Sequence, residues 1–491
     1  MNKYRCVALG YVVFLLVCAG TRAFAQEAPV PPQPVPAIPG PLPPPQERVL
    51  SPIPAQFDWM RRDVRPNPLL EALVDLQERP PQFFMSGSLA EEYSDNFFET
   101  AHDRKDEYRT RLGISTVYRL GREPSFLSLA NSLSFSYLAR AEQTNVAFAN
   151  LSLNAGHQLP PLSLALSESF IRNDSGQAAS SDSLRLGRST FLSNNVTPQL
   201  RYAFSRSTSG TLAYTNTLVR NDDPALGNTL SHAITTGLEH QFTPLLSGSV
   251  HYTFTTTTTT ATVASDSQAH SVSADLGYTF GRSTSARLQT SASVIERSQQ
   301  GANSHIYGAS VGVRQQFTPF LSGFGSLGVT VLEVKNGNPR FFPNWQVSLD
   351  GALPGIRYLS LTLSSQQNVT DTVGTVDNVG LVLRQSVNLD LRYTVSRYLS
   401  TSLFVGFTHT ELFESVGTFG SVQGRKDNFW TAGARASYAL TRILSLSANY
   451  LHQRRDSTLA SSNSTLASSN FSSNFDENLL TVTLAASFPV F

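Results

Sequence analysis

Apolar and polar residues alternate with a period of two along most of the chain after residue 82. In the segment LSLSANY, Leu444, Leu446 and Tyr450 fall on one face, whereas Ser445 and Ser447 fall on the opposite face. Two further segments alternate in the same way: residues 272–280 and residues 381–393. Alternation of this kind indicates a β-strand with one apolar and one polar face. The sequence therefore predicts an all-β fold over residues 82–491.

A longer repeat groups these strands into pairs. Each copy has an aromatic residue or a glutamine near a strand end, a short turn with arginine or proline, and a serine-rich alternating stretch. The copies begin at Tyr118, His157, Tyr202, His240, Tyr278, Gln315, Leu353, Tyr393 and Tyr438. Nine short turns, with one strand before them at 82–94 and one after them at 478–490, predict about 20 strands, within a range of about 18–22. Longer polar segments between the copies predict loops on the other side of the sheet.

The length of the strands separates a membrane barrel from a soluble sheet. Each repeat contains two strands of about 10–13 residues, whereas a propeller blade of similar length contains four. About ten residues, tilted by about 40°, cross the apolar band of an outer-membrane barrel. Aromatic residues precede the short turns and predict an interfacial girdle, the alternative being turn-flanking aromatics of a soluble sheet: Tyr118, Tyr202, Tyr278, Phe317, Tyr393 and Tyr438. The prediction is a transmembrane, antiparallel, up-and-down β-barrel.

The N-terminal residues have the three parts of a signal peptide. Lys3 and Arg5 supply positive charge, an apolar stretch follows at 7–19, and Ala23-Phe24-Ala25 fits the cleavage motif. The apolar stretch is shorter than the roughly 20 residues of a spanning helix. The predicted segments are a signal peptide at 1–25, a proline-rich periplasmic linker at 26–67, a short helix at 68–81 and the barrel at 82–491. Cleavage and export predict a location in the outer membrane of a Gram-negative bacterium.

Charge and motifs argue against several other functions. The formal net charge is +1, which is far from the basic excess of a nucleic-acid-binding protein. The nine histidines are scattered, without the spacing of metal ligands. A GxGxxG match at 323–328 lies within an alternating strand, whereas a dinucleotide site requires a strand, a turn and a helix. We therefore predict no nucleic-acid partner, no metal and no cofactor.

Catalysis in a barrel wall would require nucleophile and base side chains that converge from different strands. Candidates exist, including His251, Asp275 and Asp350, but no spacing in the sequence brings them together. The G-x-S-x-G turn of hydrolases does not occur in the sequence. We predict that the protein is not an enzyme.

The polar face of the alternating strands carries charged residues among many Ser, Thr, Gly and Ala residues. The predicted pore-lining residues are Arg109, Arg111, Arg201, Glu239, Asp275, Arg287, Arg314, Asp350, Arg384, Asp390, Arg392 and Arg435. One interpretation is a hydrated pore in which the arginines select anionic or hydroxyl-rich solutes. The alternative is a ladder of ion pairs between strands that braces the wall. Barrels of about 16–18 strands enclose an aqueous channel, so a barrel of about 20 strands can do so too.

A short motif stands at the start of the predicted barrel, in the segment MSGSLAEEYSDNFFET at 85–100. Its distinctive residues are Tyr93, Asp95, Asn96, Phe97 and Phe98. The motif resembles the opening of the putative beta-barrel porin 2 family, in which a first strand ends in Tyr-x-Asp-Asn-(aromatic or Ile)-Phe before an outer loop. The resemblance implies a membrane barrel. Because some relatives are encoded with exopolysaccharide systems, it also implies polysaccharide export as one context. It assigns no catalytic residues.

The predicted function is a pore for passive diffusion or export of hydrophilic solutes, with saccharides as one class. The alternative is a non-conducting outer-membrane scaffold or adhesin that acts through its surface loops. The predicted partners are outer-membrane lipid, a hydrophilic solute or polysaccharide, and the barrel-assembly machinery, which would recognise the C-terminal strand. The chain ends in Phe491, and Pro489 is expected to break that last strand.

Overall fold

The computed structural model of the chain describes thirteen segments of the barrel. They are residues 83–99, 104–122, 125–140, 146–175, 189–222, 228–260, 266–298, 303–334, 338–353, 358–372, 380–415, 426–458 and 474–490. The predicted signal peptide, the proline-rich linker, the predicted helix at 68–81 and Phe491 lie outside the described residues.

The described residues form twenty β-strands. Their bounds are β1 Phe83–Ser94, β2 Glu107–Arg122, β3 Ser125–Leu138, β4 Val146–Leu159, β5 Leu162–Ser175, β6 Ser189–Ala203, β7 Thr208–Asn221, β8 Thr229–Gln241, β9 Leu246–Thr259, β10 Ser267–Thr279, β11 Thr284–Arg297, β12 Ser304–Thr318, β13 Leu321–Val334, β14 Arg340–Ala352, β15 Leu359–Thr372, β16 Gly380–Thr394, β17 Leu399–Ser415, β18 Lys426–Ala439, β19 Leu444–Ser457 and β20 Phe475–Val490. The predicted strand number is confirmed.

The strands form one closed antiparallel barrel. Each strand pairs with the next along the chain, and β1 pairs with β20 over Phe83–Ser94 and Leu479–Val490. The nine predicted short turns join β2 to β3, β4 to β5 and so on to β18 and β19. Closure gives every strand a neighbour on each side, which a membrane-spanning sheet requires because lipid offers no hydrogen-bond partners. We call the strand ends beside the short turns the turn half of the barrel, and the opposite ends the loop half.

The two faces of the barrel wall differ in chemistry. Large apolar side chains are exposed on the outer face, for example Leu112 at 57% and Leu327 at 73%. Near the short turns this face carries aromatic rings: Tyr202, Tyr278, Phe317, Tyr393 and Tyr438 are all exposed. Tyr202 lies edge-on to Phe204, with ring centroids 5.1 Å apart, as expected for an interfacial girdle. The alternation in the sequence thus separates a lipid-facing from an inward-facing surface.

The C-terminal strand differs from the prediction at one residue. Pro489 does not break β20, which pairs with β1 through Val490. The pairing of β20 with β19 already ends at Ala486, so Pro489 has a neighbouring strand on one side only. A proline lacks an N–H group and is tolerated where one side of a strand is unpaired.

The GxGxxG sequence lies inside β13, as predicted. A Cβ atom at Gly328 would clash with the backbone oxygen of Ala309 and the side-chain oxygen of Asn344. Close approach of neighbouring strands therefore explains the glycine without a nucleotide. Among the described residues, no helix is long and apolar enough to span a membrane.

Candidate lumen site

The strand register puts all twelve predicted pore-lining residues on one face of the wall. On β1 and β2, Leu89 lies opposite Leu112 on the outer face, and Glu92 lies opposite Arg109 on the inner face. The same parity continues around the barrel from strand to strand. Nine of the twelve residues lie in the turn half, whereas Arg109, Arg111 and Arg384 lie in the loop half. Their role in conduction stays a prediction.

Two pairs of predicted residues meet in the turn half. The Nη2 atom of Arg201 on β6 lies 2.8 Å from Oε2 of Glu239 on β8. The hydroxyl of Ser209, on the intervening β7, accepts two hydrogen bonds from the same guanidinium, at 3.0 and 3.2 Å. Arg287 and Asp275 approach to 2.8 Å on adjacent strands. In both pairs the guanidinium is about 45% exposed and the carboxylate is more covered, at 25% for Glu239 and 11% for Asp275. The positive partner is therefore the one that faces the water of the lumen.

Three other predicted residues of the turn half form no ion pair among the described residues: Arg314, Asp350 and Arg392. Arg314 and Arg392 are exposed. Asp350 accepts a hydrogen bond of 2.6 Å from the Thr362 hydroxyl. The turn half thus combines ion pairs across the wall with guanidinium groups that remain open to solvent, so both sequence-based interpretations have a structural counterpart.

A buried ion pair lies in the loop half. Arg109 on β2 contacts Glu92 on β1, with side chains only 5% and 10% exposed, and Arg111 lies 3.9 Å from the same carboxylate. The guanidinium of Arg109 lies over the Phe97 ring, 5.7 Å from its centroid. Glu92 was absent from the predicted residues, although its position in the alternation of β1 would have identified it. Because both side chains are buried, we expect the removal of either one to destabilise the barrel strongly.

Further buried polar residues lie beside it on β18, β19 and β20. Arg455 and Asp427 form an ion pair at 3.0 Å, with 4% and 5% of their side chains exposed. Glu477 is fully buried and accepts hydrogen bonds from the side chains of Ser94 and Gln453. Sequence reasoning missed these residues as well. They follow the inward parity of their strands, but their meeting depends on the stagger between strands.

The motif at the start of the barrel lies across the junction of β1 and β20. The backbone N–H and the side-chain amide of Asn478 each donate a 2.7 Å hydrogen bond to the carboxylate of Asp95. The Asn96 amide donates to the backbone oxygen of Asp476 at 2.9 Å. Phe97 is buried against Arg109. These motif residues therefore fasten the first strand to the last one.

An exposed ion pair marks the loop that follows β3. Arg140 contacts Asp106 and lies over the Tyr108 ring, 5.0 Å from its centroid. The hydrogen bond with Asp106 raises the pKa of the Arg140 guanidinium, which stays positively charged. At this loop the positive charge of Arg140 is thus paired with the negative charge of Asp106.

No hydrogen bond joins the candidate catalytic residues His251, Asp275 and Asp350 to one another within the described segments. Asp275 binds Arg287, Asp350 binds Thr362, and His251 lies opposite Ser273 in the register of β9 and β10. Within the described segments, no three His, Cys, Asp or Glu residues cluster in a way that could hold a metal ion.

Comparison with known proteins finds a family match over part of the chain and several similar solved structures. Residues 297–472 match the family described as putative beta-barrel porin 2, which confirms the predicted resemblance. No curated protein matches the chain. The chain is similar to OccAB4 of Acinetobacter baumannii, at 13% identity over 83% of this chain and 98% of that one, with a TM-score of 0.40.

The chain is also similar to two further solved structures. OpdK of Pseudomonas aeruginosa, solved with vanillate, is 11% identical over 83% of this chain and 99% of that one, with a TM-score of 0.38. The ferric-catecholate import receptor Fiu of E. coli K12 is 10% identical over 84% of this chain and 82% of that one, with a TM-score of 0.48. The family match and the strand pairing of the chain itself give a porin-like outer-membrane β-barrel fold.

Proposed function

We propose that this barrel is an outer-membrane pore for passive diffusion or export of hydrophilic solutes, with a preference for anions. The chain reaches the outer membrane after cleavage of its signal peptide, and the assembly machinery recognises β20. The observation that carries the proposal is the exposure of arginine in the turn half. Arg201 and Arg287 are more exposed than their acidic partners, and Arg314 and Arg392 add exposed positive charge. Fixed positive charge at a pore wall lowers the energy of a passing anion.

The inner wall also offers many hydroxyl groups. Several pairs of them hydrogen-bond across neighbouring strands, including Thr235 with Thr253 at 3.1 Å and Ser271 with Ser293 at 2.9 Å. Each hydroxyl has one donor and two acceptor sites, so a wall pair retains capacity for a further partner. Such a wall suits solutes that carry many hydroxyl groups of their own. This supports saccharides as one class of solute.

Single-channel recording in a planar bilayer tests the pore. In a KCl gradient, the reversal potential of the wild-type protein should indicate anion selectivity. The double variant Arg314→Gln/Arg392→Gln should shift the permeability ratio of anion to cation toward one. Arg220→Gln removes one positive charge from the outer face and serves as the control, with unchanged selectivity. A folded, heat-modifiable barrel without current would contradict the pore and favour the scaffold or adhesin.

Liposome swelling tests the saccharide preference separately. Proteoliposomes should swell faster in an isosmotic neutral sugar such as arabinose than in an apolar-substituted alcohol of similar size. Equal rates for the two solutes would show that the hydroxyl wall does not select saccharides, while leaving conduction of small ions intact.

A further inference from the structure

The longest gap in the pairing of neighbouring strands lies between β14 and β15. β14 and β15 pair only from Trp345 with Gln367 to Ala352 with Ser360, which is eight register pairs in the turn half. Both strands continue toward the loops, over 340–344 and 368–372. There β14 still pairs with β13, and β15 still pairs with β16. The two strands therefore separate from each other in the loop half while remaining part of the sheet on their other sides.

The seam of β4 and β5 loses its ladder in the same way over a shorter stretch, because its register ends at Ala149 opposite Arg172, three residues before the strand ends. The seam of β6 and β7 is also interrupted by a proline, at Thr197 and Pro198. There the register resumes beyond the gap, with Val196 opposite Asn216. The gap at Pro198 thus covers two residues of β6, whereas the separation of β14 and β15 continues over five residues to the strand ends.

Side chains replace the backbone ladder where the two strands part. Pro343 has no N–H group, and its backbone oxygen accepts a hydrogen bond from the Gln367 amide. Gln367 in turn accepts a 2.7 Å hydrogen bond from the Gln385 amide. Both glutamines lie on the outer face, where a polar side chain is costly unless it is satisfied. Their chain of hydrogen bonds closes the base of the split.

The split has an apolar outer rim and a polar inner rim. On the outer face, Phe341 is 70% exposed, and Trp345 follows it four residues later. On the inner face, the buried side-chain oxygen of Asn368 has no hydrogen-bond partner among the residues that the structure describes. Asn368 lies opposite Arg384, and Arg340 stands on the same inner face at the loop end of β14. A hydrocarbon chain suits the outer rim, and an anionic group suits the inner rim.

We propose that the β14–β15 split is a lateral portal that opens the lumen toward the outer leaflet and admits an anionic amphiphile. Its headgroup binds beside Asn368, Arg340 and Arg384, and its alkyl chain passes between the strands toward Phe341. The physical reason is that lipid cannot hydrogen-bond to unpaired strand edges, so the split requires water or a polar group inside it. The portal is independent of ion conduction along the barrel axis.

Cysteine cross-linking tests the geometry of the split. In a full-length background with Cys6 and Cys18 replaced by serine, the pair Phe342→Cys/Thr370→Cys continues the register into the split. The pair Gln346→Cys/Gln366→Cys is the matched control, on the same face of the same seam but within the ladder. Mild oxidation should join the control pair, whereas the split pair should require a longer bifunctional methanethiosulfonate. Equal rates of direct disulfide formation would overturn the proposal.

Chemical labelling tests whether an alkyl chain in the bilayer can reach the inner face through the split. In proteoliposomes, Asn368→Cys should react with N-dodecylmaleimide dissolved in the bilayer and also with a water-soluble sulfonated maleimide. Ser348→Cys, on the inner face of the paired part of β14, should react only with the water-soluble reagent. Dodecyl phosphate should slow the labelling of Asn368→Cys by N-dodecylmaleimide more than dodecyl maltoside does. The proposal would be contradicted if N-dodecylmaleimide did not label Asn368→Cys, or if the two amphiphiles protected it equally. Heat-modifiable mobility verifies that each variant is folded.

Discussion

Two seams of the barrel show that strands close together in the sequence do not always pair over a longer stretch. They are the seam of β14 with β15 and the seam of β1 with β20. β14 and β15 follow each other across a short turn, yet their ladder covers eight register pairs. No turn connects β1 directly to β20, and the residues that bond across their ends are 383 positions apart in the chain. Their ladder nevertheless covers twelve pairs. We call the first of these the split seam and the second the closure seam.

Side chains account for the difference. Bringing distant strands together costs chain entropy, which a turn avoids. At the closure seam, Asp95, Asn96 and Ser94 bind the backbone or side chains of Asn478, Asp476 and Glu477. At the split seam, one glutamine side chain reaches Pro343 and the ladder ends. The comparison shows that the completeness of a seam is set by the groups available to bond across it, and not by proximity along the chain.

The largest expected effect concerns Glu92, which β1 contributes to the buried cluster beside the closure seam. Arg109→Ala should lower the free energy of unfolding by about 3 kcal/mol, because it removes the nearer of the two guanidinium groups that face the buried carboxylate of Glu92. Urea unfolding in detergent micelles, followed by heat-modifiable mobility, measures this change.

Arg287→Ala is the control for that variant, because its ion pair faces the lumen. Its effect on the free energy of unfolding should stay below about 1 kcal/mol. Similar losses for the two variants would mean that burial does not distinguish the loop half from the turn half.

Asp95→Ala tests the closure seam directly. The variant leaves the backbone N–H and the side-chain amide of Asn478 without their carboxylate acceptor, and the free energy of unfolding should fall by about 2 kcal/mol. Asp106→Ala removes a carboxylate from the exposed pair with Arg140 and should cost less than about 1 kcal/mol. The same urea titration compares the two, and a smaller loss for Asp95→Ala would refute the fastening role of the motif.

The smallest effect is expected at the split seam. Pro343→Val restores one backbone N–H and should stabilise the barrel by about 1 kcal/mol if β14 and β15 then extend their ladder. Amide hydrogen exchange should show greater protection over 340–344. Unchanged exchange would indicate that Pro343 is not what ends the ladder.

The motif at the start of the barrel could be recognised from the sequence, but the contacts of its residues could not be predicted from it. The pattern at Tyr93–Phe98 predicted the resemblance to the family from the residues alone, and the match at 297–472 confirms it from a different part of the chain. The function of the motif residues could not be predicted from the pattern, because their partners lie on β20. Contacts between residues so distant along the chain leave no local periodicity.

The sequence by itself determined the strand number, the nine short turns and the two faces of the wall. Each of these depends on residues that are neighbours along the chain, because alternation reports which side of a strand meets lipid. Even the inward placement of Arg201 and Glu239 follows from that parity. The expected break at Pro489 was wrong because the second neighbour of β20 ends before that residue.

Only the tertiary structure decided which charges meet and where the wall opens. Arg201 reaches Glu239 across an intervening strand, and Arg109 meets Glu92 rather than any predicted acid. The split of β14 from β15 likewise depends on the bonds available between two strands at a given height. These features are set by the stagger of each strand against its neighbours, and a single strand's sequence does not contain that stagger.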